Sequence, residues 1–145
     1  MNTKAAPAQQ QLYQQLLTCL RGEWHSMVVV PASPGSSGAM IANALVEVST
    51  LVRGKKAKLF TTEGLEVNDV SRVIVDMMQH IGGGGLAIVS IDSVIAAQSG
   101  IPVTLAVDVA LLVVQLGVTE TADAKRTVEL IGARKFLGAV TVEAS

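Results

Sequence analysis

Two hydrophobic periods alternate along the chain. Uninterrupted apolar runs, "MVVVP", "AKLFTT", "LAIVSID", "VALLVV" and "KFLGAVTVE", are each short enough for a strand. Between them, apolar positions recur at helical spacing. Leu12, Leu16 and Leu20, with Tyr13 and Leu17 beside them, predict a first amphipathic helix. Ile41, Ala44, Leu45, Val48, Leu51 and Val52 predict a second, and Val70, Val73, Ile74, Met77, Met78 and Ile81 a third. Gly82 to Gly85 end that helix, and a looser segment with Gly100 and Pro102 follows the next strand. Ala124, Val128 and Ile131 predict the inward face of a last helix, with Gly132 as its C-cap. Strands without polar alternation are those buried on both faces. The pattern therefore predicts an α/β fold, a mostly parallel five-stranded sheet with helices on both faces, Rossmann-like in layering.

Composition narrows this to one domain. The chain has 145 residues, half of them apolar and 16% charged, which excludes a disordered chain. Residues 1–10, rich in Gln and Ala, are expected to form an arm, and 11–145 the domain. A net charge of −1 gives no electrostatic basis for binding nucleic acid or an anionic membrane. Cys19 is the only cysteine, the N-terminus lacks a signal-type apolar core, and "VTLAVDVALLVVQLGV" is too short and too interrupted to span a bilayer. A cytoplasmic protein is expected, with at most peripheral membrane association through a partner.

The candidate chemistry lies in "MVVVPASPGSSGAMIANALVEV", a strand, a glycine-containing loop and a helix. Such a turn aims backbone N–H groups and a positive helix end at an anion. Pro34, Gly35, Ser36, Ser37 and Gly38 form the loop, yet no lysine reaches toward it, and Ala39 and Met40 stand where a Mg²⁺-binding hydroxyl is needed. Asp92, ending a buried strand, is the second candidate, because ligands of open α/β sheets bind beyond the carboxyl ends of the strands. A turn aspartate and an ordinary turn are the plainer readings. His25 and His80 lack ligand partners at metal spacing, so no metal is expected. No nucleophile–base–acid set can be assembled.

In order, these segments resemble the cytoplasmic ATPase module of bacterial tyrosine kinases of capsule and exopolysaccharide export, in the MinD/ParA-like branch of P-loop proteins. "QLYQQLLTCL" stands where that family has a helix of the type EAYRRLRTNL. "VVVPASPGSSGAMIANAL" stands at its Walker A region, and "LAIVSID" at its Walker B strand. "VDVALLVVQLGVT" and "GARKFLGAV" match best. The resemblance implies that the strand ending at Asp92 neighbours the one ending at Pro31. It implies the order "AKLFTT", "LAIVSID", "MVVVP", "VALLVV", "KFLGAVTVE".

The departures fall on functional positions. Gly38 replaces the phosphate lysine, and Ala39 and Met40 replace Ser-Thr. Glu63 alone remains of the second acidic motif, and Asp92 keeps the Walker B acid. The charged pattern through which the family's subunits join becomes Gln11, Gln14 and Leu17, and the C-terminal tyrosine cluster is missing. The resemblance therefore implies a pseudoenzyme without cofactor. It would be a regulatory or structural subunit of exopolysaccharide or cellulose-type secretion, bound to a synthase or export protein. Self-association is expected through Tyr13, Leu16, Leu17 and Leu20. The alternatives are a regulator that binds a nucleotide or phosphate without hydrolysis, a weak ATPase, or an enzyme of another class on the same sheet.

Overall fold

A computed structural model of the chain describes residues 14–18, 20 and 22–143. Residues 14–18 belong to helix α1. There follow β1 (Ser26–Pro31), α2 (Ala39–Arg53), β2 (Ala57–Thr61), α3 (Val67–Gly82) and β3 (Leu86–Ser90). A 3₁₀ turn at Gln98–Gly100 leads into α4 (Ile101–Ala106), then β4 (Val109–Leu116), α5 (Thr121–Ile131), a second 3₁₀ turn and β5 (Phe136–Glu143).

All five strands run parallel in the order β2-β3-β1-β4-β5. This is the order expected from the sequence, with the strand before Asp92 beside the one before the loop. Every residue of β1 and β3 is buried, which accounts for their uninterrupted apolar composition. Met27, Val29, Ile88, Leu111 and Val140 meet Leu16, Leu20 and Trp24 together with Ile41 and Leu45 of α2 on one face. Val28, Val30, Ala87 and Val89 meet Val70 and Met77 of α3 and Val103 of α4 on the other. Leu130 and Ile131 of α5 lie against that second core.

Four local expectations change. Leu51 and Val52 are 84% and 57% exposed, while Ala42 and Ser49 are buried, so the inward stripe of α2 does not reach its last turn. Met78 is likewise more outward than its spacing suggested. In α5 the fully buried residue is Thr127, with Ala124, Val128 and Ile131 only half-buried; Gly132 is the C-cap as expected, its N–H donating to the Val128 carbonyl at 2.8 Å. The loose segment contains α4, a six-residue helix with proline in its first turn, where the missing N–H costs nothing.

The same packing corrects the expected interface. Leu16 and Leu20, 1% and 6% exposed, are in the protein's own core and have no surface to offer. Leu17 is exposed. Tyr13, Cys19 and the 1–10 arm lie outside the described residues. Helix α1 also reaches edge strand β5, where the Thr141 N–H donates to Gln15 Oε1 at 3.2 Å. That contact occupies one outward donor of an edge that would otherwise be open to pairing. Among the described residues, no helix is long and apolar enough to cross a membrane.

Candidate functional site

A parallel sheet delivers all its strand ends to one rim, so the residues after β1, β2, β3 and β4 meet there. The loop after β1 begins with two ties to its neighbours. The Ala32 N–H donates to the Val113 carbonyl (2.9 Å), and Thr127 Oγ1 of α5 shares its one proton between the Ala32 carbonyl (3.1 Å) and the Asp123 carbonyl of its own helix (2.9 Å). Pro34 and Gly35 form the exposed tip, and Gly35 has φ +82°, a conformation that favours glycine.

Hydroxyls then close the loop on itself. Ser36 Oγ donates to the Ser33 carbonyl at 2.8 Å, which commits its single proton. In the 3.3 Å pair of Ser33 and Ser36 hydroxyls, Ser33 is therefore the donor. The Thr119 hydroxyl, 3.1 Å away, then donates to Ser33 Oγ, while it accepts the Gln115 N–H at 2.9 Å. The chain of bonds fastens the loop to the exit of β4.

At the start of α2 a carboxylate takes part. Ser37 Oγ accepts the Ala39 N–H (3.1 Å) and donates to Glu63 Oε1 (2.8 Å). Glu63 follows β2, and its own N–H donates to Thr61 Oγ1 at 3.1 Å. The next residue, Gly64, donates its N–H to Asp92 Oδ2 at 2.8 Å. Both acids that the sequence singled out thus tie the loop after β2, Glu63 to α2 and Asp92 to the residues after β3. Each is engaged within the protein.

Gly38 is fixed by packing. A Cβ built on it would lie 2.7 Å from Cγ1 of Val29, which is fully buried and β-branched. Such a side chain cannot swing aside without disturbing the sheet face. A side chain at Gly38 therefore requires Val29 or the backbone to shift.

Beside the loop lies a cavity of about 330 Å³, walled by Met40, Val113 and Val142, with Ser36, Ser37 and Glu143 among its polar lining. Two further polar groups went unnoticed in the sequence. Ser33 and Thr127 are almost completely buried and hydrogen-bonded, but a serine or threonine looks the same in sequence whether it ties a loop or faces water. His25 and His80 are far apart in role. The His25 N–H donates to Asp108 Oδ2 (2.7 Å), and His80 Nε2 contacts the Lys56 carbonyl (3.0 Å). Among the described residues no three His, Cys, Asp or Glu side chains group as metal ligands.

No known family model matches the chain, and a search of curated proteins finds no match.

Proposed function

We propose that the chain is a catalytically inactive P-loop protein, related to the bacterial tyrosine kinases it resembles. In this reading it acts as a cytoplasmic regulatory or structural subunit bound to a synthase or export component of exopolysaccharide or cellulose-type secretion. One observation carries the inactive half of the reading: at the start of α2 the lysine position is Gly38, sterically filled by Val29, and the adjacent hydroxyl Ser37 is committed to Glu63. Phosphoryl transfer depends on positioned cations around the transferring group, and loss of one such charge can cost about 10³-fold or more. Here the nearest charged group bonded to the loop is an anion. The secretion setting and the partner rest on the resemblance.

The test pairs hydrolysis with a biological readout. ATP and GTP turnover, with and without Mg²⁺, is expected to stay at the buffer blank. Deleting the gene is expected to lower polysaccharide output, and Asp92→Asn is expected to restore it as well as the natural chain does. Asparagine still accepts the Gly64 N–H, so this variant removes the acid without removing the tie. Turnover that disappears in Asp92→Asn would overturn the reading. A second reading, a regulator that binds a nucleotide or phosphate without hydrolysis, is favoured by the cavity beside Ser36 and Ser37.

A further inference from the structure

The start of α2 has a positive helix end, but an N-terminus by itself is no site. A second observation concerns Ser90, the last residue of β3. Its side chain is 1% exposed, and its hydroxyl has no hydrogen-bond partner. Sheet register pairs Ser90 with Val29 on one side and Thr61 on the other. Val29 and Ile88 pack toward α2, so Ser90, two residues beyond Ile88, faces the same way. Val29 is the residue beneath Gly38, and Thr61 is the residue that holds the Glu63 N–H. Register and face therefore place the unpartnered hydroxyl between the residue beneath Gly38 and the residue that holds Glu63, on the side of the sheet that the Ser37–Glu63 bridge crosses. Buried hydroxyls without partners are uncommon and costly.

We propose that Glu63 is a built-in plug, a carboxylate that holds the place of an oxyanion at the start of α2 and closes the loop to phosphate by charge. The Ala39 N–H is not left for an external ligand; it donates to Ser37, which passes the bond to the carboxylate. A phosphate entering there would have to displace Ser37 from Glu63 and sit beside a negative charge. Among the described residues no basic side chain bonds to Glu63 to offset that charge. The plug rests on reading residues 34–38 as a former phosphate loop, but it makes a separate demand: once the charge at residue 63 is gone, the Ala39 N–H and the Ser37 hydroxyl become available to an anion.

The probe is inorganic pyrophosphate, titrated against the full-length protein and followed by the amide resonances of Ser36 to Ala39. The natural chain is expected to show no saturable shift in the millimolar range. Glu63→Gln keeps the shape and removes the charge. It is expected to bind at least about tenfold more tightly than the natural chain, since a unit charge a few ångströms away is worth about that in a partly solvated site. Glu63→Lys is expected to bind more tightly again, and Ser90→Ala in the Glu63→Gln background to weaken binding several-fold. The charge order, natural chain below Gln below Lys, is the signature, because loosening of the loop would not depend on the sign of the new side chain. Both variants are accepted as folded only if the emission of Trp24, the single and buried tryptophan, is unchanged. If neither folded variant binds, or both bind no better than the natural chain, the plug is wrong while the inactive reading stands. If the natural chain itself binds pyrophosphate saturably at these residues, the plug is wrong and the reading as a regulator that binds a phosphate ligand without hydrolysis is favoured over the ligand-free one.

Discussion

Adding one methyl group at Gly38 tests the packing argument directly. Gly38 has φ −93° and ψ 4°, open to any residue, so Gly38→Ala meets no backbone barrier. Reduced freedom of the unfolded chain would by itself stabilise the variant by about 0.4–1 kcal/mol. Against this stands the 2.7 Å approach to Val29 Cγ1 in a fully buried position. Overpacking of that kind costs about 1–3 kcal/mol. Alanine is also a poorer N-cap than glycine, by up to about 1 kcal/mol. The net expectation is a loss of about 2 kcal/mol. In urea, with a slope of about 2 kcal/mol/M, the unfolding midpoint should fall by about 1 M. Val29→Ala alone should cost about 2–3 kcal/mol from the lost methyls and the space they leave. If the two groups collide, the double variant should recover about 1–2 kcal/mol relative to the sum of the single losses. Equilibrium urea unfolding of the four proteins closes the cycle. A Gly38→Ala variant as stable as the natural chain, or losses that simply add, would show that steric exclusion does not hold glycine at this position.

Other side chains give independent tests. Arg53 donates to the Trp24 and Gly22 carbonyls at 2.7 and 3.0 Å and lies over the Trp24 ring at 4.7 Å, so Arg53→Met should cost about 2 kcal/mol in the same unfolding assay. Thr127→Val should cost about 1 kcal/mol, because the Ala32 carbonyl loses a buried donor that it shares with the Asp123 carbonyl. Ser90→Ala, which removes a buried hydroxyl without a partner, should leave stability equal or raise it by about 1 kcal/mol. With Leu16 and Leu20 in the core, Leu17→Glu should change thermal stability little, and any self-association seen by sedimentation should weaken in that variant only if the Leu17 face is used.

The sheet was legible because its central strands are buried on both sides. A segment such as "MVVVP" has no polar residue to be turned outward, and its flanking glycine, proline and serine residues mark where it must stop. The strand order was also anticipated, though through family resemblance, since apolar runs alone do not say which neighbours which. The last turn of α2 misled for a physical reason. Leu51 and Val52 continue the apolar spacing, but the last turn meets the rest of the protein through polar contacts, Thr50 Oγ1 with the Ala57 N–H and Arg53 with the Trp24 and Gly22 carbonyls, and spacing does not show which residues will make them. Leu16 and Leu20 illustrate the converse. The loss of charges around Leu17 suggested an exposed apolar face, yet those two leucines were needed to cover the protein's own sheet.

From residue types alone, the chain determined its layered α/β class, its strands and the position of the loop. These follow from local composition and period, which each segment carries with it. Only the tertiary structure decided what the remaining groups do. Ser37 and Glu63 are 26 residues apart and bond only because β1 and β2 end on the same rim. Gly64 and Asp92, 28 apart, meet for the same reason. A side chain at Gly38 would meet Val29, a residue whose inward direction is set by sheet pairing. A hydrogen bond or a steric contact needs two partners within a few ångströms, and the folding of distant segments onto one rim is what supplies the second.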